Sequence, residues 1–141
     1  ILSHAISGFF LTGLIWVIQL VHYPSFKFYD TKTFKTAMAH HRQKISFIVM
    51  PLMLIELMTG ITLAVIQWSS LAEFHIINLT LIAIIWVHTF MLMVPFHQTF
   101  ESNFDIDLLN RTLKHHWLRT TAWTLKSALW IATLWHILTI Y

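Results

Sequence analysis

The chain has 141 residues, of which 57% are hydrophobic and 11% charged, and its mean hydropathy is +0.66. That balance excludes a soluble domain of this size, and the length leaves room for one domain only. There is no cysteine, which excludes disulfides, CxxC redox pairs and thiolate-held metals.

Four apolar segments follow one another, at residues 2–23, 45–67, 74–94 and 117–140. Each is on the order of 20 residues, about 30 Å as a helix, which matches a bilayer's hydrocarbon core. They predict an all-α, antiparallel four-helix transmembrane bundle, one four-span domain over residues 1–141 with both termini on the outer side. The nine Lys and Arg lie in the first and third connections, at flanking helix ends or, for Lys126, within the last segment. The second connection, residues 68–73, has none. By the positive-inside rule the first and third loops are cytoplasmic, and the expected location is a bacterial inner membrane. The net charge of +3 and pI near 9.5 report topology, so the bilayer and not nucleic acid is the expected partner.

In the first segment Gly8, Thr12, Ile15 and Gln19 share a helical stripe. His22, Tyr23 and Pro24 close it, and Pro24 is expected to end the helix. Residues 26–35 mix aromatics with Lys as an interfacial loop does.

The second segment opens with His40, His41, Arg42 and Lys44 and carries one central carboxylate, Glu56. At about 100° per residue His41 lies about 60° from Glu56 and His40 about 160°, so His41 is the one to face inward. The third segment carries His75 and Asn78 early, His88 inside, and His97 just past Pro95. The third connection, with Glu101, Asp105, Asp107, Arg111 and Lys114, has room for a short interfacial helix. The last segment begins HHWLRTTAWTLKSALW, in which His115, Arg119 and Lys126 fall within about 40° and form a basic stripe. Arg119 can snorkel, whereas Lys126, about 10 Å deeper, must point into the bundle.

Segments one and three share a plan, LTGLIWVIQLVHYPSF beside LTLIAIIWVHTFMLMVPF, each followed by a His-His pair. Duplication would relate the halves by an axis along the membrane normal.

Ten His are many for so apolar a chain. Counting about 1.5 Å per residue from the helix ends sorts them and the charges into three layers. Glu56, Lys126 and His88 fall near the middle, as a structural ion pair hydrogen-bonded to His88, a proton-handling group or an anchor for a cofactor edge. The inner layer gathers His22, His40 or His41, His97, His115 or His116, Arg42 and Arg119. These are candidates for a His-ligated transition-metal site with Glu101 or an Asp nearby, or for interfacial side chains beside lipid phosphates. In the outer layer His4 and His136, with His75 close in depth, have the placement of a bis-His haem.

Met38, Arg42, Ile48, Met50, Pro51, Met53 and Gly60 make a run that resembles the HemJ-type protoporphyrinogen oxidases, small four-span membrane proteins that bind haem b. His4, Gly13-Leu14 and His88 are similar in position. The resemblance implies His4 as an axial haem ligand and a porphyrin-sized cavity. It does not extend to that family's Pro-Arg-Leu after the first span or its third-span lysine, and Glu56 and HHWLRT have no counterpart in it.

Three functions follow as expectations. One is a redox protein holding haem b or a His-ligated metal, with Arg42 and Arg119 on propionates or an anionic substrate and Glu56 and Lys126 setting charge or moving a proton. Another is a non-catalytic accessory subunit of a larger membrane complex. The third is a proton-coupled carrier using Glu56 and His88, which would need to form a homo-oligomer.

Overall fold

The computed structural model describes residues 1–102 and 105–140, apart from the side chains of Thr31, Trp68, Ser69, Ser70, Glu101, Ser102, Ile137 and Ile140. It is a helical bundle with no strand among the described residues. Its rods are α1 (Leu2–Phe28), α2 (Lys32–Gln67) and α3 (Leu71–Phe100), followed by α4 (Ile106–Ile140). The first three are long and apolar enough to cross a membrane. The fourth, 35 residues long, is less apolar because Arg119, Lys126 and His136 interrupt it.

Hydropathy marks only the apolar part of each helix, and the helices run further. Asp30 starts the second well before residue 45. Its carboxylate accepts from the backbone N–H of Lys32 at 3.0 Å and of Thr33 at 2.9 Å, and from the Thr33 hydroxyl at 2.7 Å. Those bonds, the Thr33 N–H first, hold the Asp30 carboxyl below its ordinary value. His40 and His41 are therefore helical. At the other end of α2, Gln67 (φ −114°, ψ 19°) and Leu71 (φ −141°, ψ 36°) leave helical geometry and make the break before α3. Helical backbone continues past α3 to Ser102. The expected short interfacial helix of the third connection is thus divided between that extension and the first turns of α4, where Asp105 accepts from the Asp107 N–H at 2.8 Å.

Pro24 does not end the first helix, contrary to expectation. The chain opens into a π turn at Ile18–His22 and continues through Tyr23–Ser25 to Phe28. A second π turn, Thr89–Met93, stands immediately before Val94 and Pro95. Proline lacks an N–H, and its ring strikes the carbonyl four residues back. Widening the preceding turn removes the clash without breaking the rod. The likeness of segments one and three thus reappears as a matched backbone feature.

The core has three layers. Ile18, Tyr23 and Phe26 of α1 pack with Phe34 and Met38 of α2, Phe100 of α3 and Leu108 and Leu109 of α4 at the His-rich end. Leu11, Ile15, Met53, Ile85, Ala122 and Trp123 make the middle layer. Leu63, Phe74 and Trp130 make the far one. Outside, Phe47 is 82% exposed and Val65 77%, while Glu56 and Lys126 are 1% and 0% exposed. Within the apolar stretches the ions Glu56 and Lys126 lie inside and hydrocarbon side chains outside, while the other charges gather at the helix ends.

Candidate functional site: a basic cavity beneath a buried ion pair

In the middle layer Lys126 of α4 forms an ion pair with Glu56 of α2, and the Trp123 indole N–H donates to Glu56 Oε2 at 3.4 Å. Both ions reach the backbone of α1 because Gly8 is there. A Cβ at Gly8 would stand 3.0 Å from Lys126 Nζ and 3.2 Å from Glu56 Oε1. One turn on, Thr12 and Ser127 hydroxyls are 2.7 Å apart, and Trp16 donates its indole N–H to Thr124 at 3.1 Å. Carboxylate, ammonium and indole satisfy one another, as a buried pair must to be tolerated. His88 does not join them; it faces the part of α4 that carries Arg119 and His115.

In the far layer His4 is fully buried. Its Nδ1 lies 2.9 Å from Thr59 Oγ1 and its Nε2 3.4 Å from Asn78 Oδ1, which also accepts from Trp130 Nε1 at 3.3 Å. The Trp130 ring sits 4.8 Å from the imidazole. A Cβ added at Gly60 would come within 3.1 Å of His4 Cε1. An axial haem ligand needs a free nitrogen and an open face for the porphyrin. His4 has neither, so the residues around it do not fit haem. His136, its expected partner, is exposed. His75 is buried, with both ring nitrogens unpartnered.

At the His-rich end a cavity of about 150 Å³ opens among all four helices. Both π turns reach its wall, through Ile18 of α1 and Thr89 and Met93 of α3. The volume is far below the several hundred Å³ of a typical cofactor pocket, so this cavity by itself is not porphyrin-sized. The cavity's polar lining is Tyr23, His41, Arg42, Ser46, Thr89, His97, His116 and Arg119. Tyr23 Oη and His97 Nε2 are hydrogen-bonded at 2.7 Å. His116 donates its Nδ1–H to Gln19 Oε1 at 2.7 Å, which leaves Nε2 as the acceptor. No Asp or Glu among the described residues lines the cavity.

Arg119 is the unusual member. It is 7% exposed, and its Nε has no hydrogen-bond partner. It forms no ion pair with any described residue. Its guanidinium lies 5.1 Å from the Trp123 ring, a cation–π contact that only partly offsets burial. The expectation that Arg119 snorkels is corrected. It is buried against Trp123 and lines the cavity.

The other expected ligands divide by face. His41 and His116 line the cavity, whereas His40 and His115 are exposed, so the second member of each His pair is the inward one. The His115 ring lies 5.9 Å from the Phe96 ring. His22 and His41 rings lie 4.1 Å apart, and both Nε2 atoms are buried without a partner. Among the described residues no three His, Asp or Glu converge closely enough to hold a metal ion. Arg42 is exposed at the cavity mouth. The Glu101 side chain, named as a further ligand, is outside the described residues.

Trp123 and Thr59 emerge as partners that the sequence does not assign, whereas Gln19, expected just beneath the inner His layer, bonds to His116 of that layer. A signal was present: His116, Arg119, Trp123, Lys126 and Trp130 recur at alternating spacings of three and four, one continuous face of α4. No protein-family model, curated protein or solved structure matches this chain.

Proposed function

We propose that this chain is an integral membrane protein, an antiparallel four-span bundle with its first and third connections cytoplasmic, that binds a small organic acid at Arg119. The apolar exterior, the three core layers and the loop charges support the membrane placement. One observation carries the ligand: a buried guanidinium, with no ion pair to any described carboxylate, faces a cavity with a polar lining. An isolated buried charge costs several kcal/mol, and a carboxylate presenting two oxygens to the guanidinium fork removes most of that cost. The pair Glu56–Lys126 holds α2 to α4, and Trp123, which donates to Glu56, also lines the cavity.

Calorimetric titration of the detergent-solubilised protein with sodium butyrate tests this. One saturable site is expected, with no heat from butyramide and a loss of roughly tenfold or more in affinity in Arg119→Gln. Absence of saturable heat in the wild type, or equal binding by Arg119→Gln, overturns the reading.

A second reading, a His-held transition metal in a redox role, draws on the unpartnered Nε2 atoms of His22 and His41 beside the Tyr23–His97 pair. It requires side-chain rotation to converge the imidazoles. Stoichiometric metal in protein purified without chelator, lost in the variant His22→Ala/His41→Ala, is its expected result; metal-free protein removes it.

A further inference from the structure

The cavity has a neighbour. Leu14, Ile18, His41 and Ile45 line both it and a larger hollow of about 660 Å³ along the seam of α1 and α2. This groove runs on α2 from Thr33 to Ile48, a rise of roughly 22 Å at the helical repeat. Its walls are mainly apolar, and Val17 and Ile48 at its edge are 56% and 43% exposed, on the face that looks outward. Lys44 is the charged side chain lining it, and no Asp or Glu among the described residues does.

We infer that the groove holds the hydrocarbon tail of a long-chain carboxylic acid whose head group occupies the Arg119 cavity. The inference rests on the acid-binding reading above and names the class of acid. Three features commit it to that occupant. Charge is complementary, since Arg119 lines the cavity, Lys44 lines the groove, and no Asp or Glu among the described residues lines either. Size restricts the head: about 150 Å³ admits a carboxylate and a few methylenes but not a glycerophosphate bearing two chains. The two hollows adjoin, because Leu14, Ile18, His41 and Ile45 line both, so a chain leaving the head-group cavity past His41 enters the groove. The exposed edge at Val17 and Ile48 is where the acid enters from the bilayer in its neutral form. His41, stacked on His22 at 4.1 Å, stands where head and tail meet.

The test uses the full chain in lipid nanodiscs with palmitic acid carrying a mid-chain diazirine, irradiated and mapped by peptide mass spectrometry. Adducts are expected to concentrate on Val17, Ala37 and Ile48. They should fall at least fivefold with Ala37→Trp, with Ile48→Trp, with Arg119→Gln and with excess butyrate. Adducts on Val65 and Leu138, both 77% exposed elsewhere on the bundle, should not change. Having two groove-filling variants guards against one that fails to fold. Adducts spread evenly over the exposed apolar residues, or groove adducts indifferent to both Trp variants and to butyrate, overturn the inference. If butyrate still binds calorimetrically in that case, the acid site stands and only the tail assignment falls. If butyrate does not bind at all, the acid reading falls and this inference with it.

Discussion

Glu56 and Lys126 are each among the most buried side chains in the protein, and each is the other's neutralising partner. Removing one charge strands the other. Glu56→Gln or Lys126→Met alone should therefore destabilise the detergent-solubilised protein by about 3–5 kcal/mol, and the double variant should recover most of that loss. Denaturant unfolding of the four proteins checks it; a double variant as unstable as the sum of the singles would mean that the two do not act as a pair. Gly60 offers a second residue-scale prediction. Gly60→Ala pushes a methyl against His4 and Ile82, which should cost about 1–3 kcal/mol by overpacking. Depth counting was enough to pair Glu56 with Lys126, because both must avoid hydrocarbon and only helical rise decides who is level with whom. It could not assign Trp123 or Thr59 as partners, since an indole or hydroxyl reads the same whether it faces an ion or a lipid. Nor could it separate His4 from His136, which differ in helix face and not in depth.

The π turns ahead of Pro24 and Pro95 are the chief features of the elements. Restoring an N–H at position 24 lets an ordinary α turn form, and closing up one residue rotates the Gln19 side of α1 by roughly 100° relative to Tyr23. Pro24→Ala should thus raise thermal stability, by relieving an unfavourable helix residue, while weakening butyrate binding several-fold. Unchanged affinity would detach the π turn from the site. The start of α2 has its own pH signature. Because native Asp30 is held below its unfolded value by Thr33 and Lys32, its capping contribution is complete above the ordinary carboxylate range and declines as pH falls through the native value. The melting difference between wild type and Asp30→Ala should accordingly shrink on acidification below about pH 4. A difference that stays constant would remove the ionised cap. The four apolar segments were legible from hydropathy. Their extensions were not, because the added turns at the His-rich end are polar outside and take their stability from the layer around Phe26, Phe34 and Phe100. The rule that proline stops a helix fails at Pro24 because the wider turn ahead of it accommodates the ring.

At the scale of the molecule, the bundle is organised as an apolar sleeve around a polar axis, and the axis ends in a basic cavity. The absence of cysteine makes the proposed orientation simple to measure. In intact cells an impermeant maleimide should label Glu73→Cys, and it should label Lys35→Cys only after the membrane is opened; the opposite pattern reverses the topology. The helical bundle could be anticipated from composition and periodicity, since four apolar segments of this length have few other folds. The cavity could not, because it is created by two widened turns and by helix extensions that no apolar run records. The central claim is that Arg119 is a ligand's counter-ion. Nitrogen-15 spectroscopy of arginine side chains in nanodiscs addresses it at the atom concerned, with the Arg119 Nε–H signal assigned by its absence in Arg119→Lys. Saturating butyrate should shift that signal downfield as the unpartnered N–H gains an acceptor, and a signal unmoved at saturation would contradict the account.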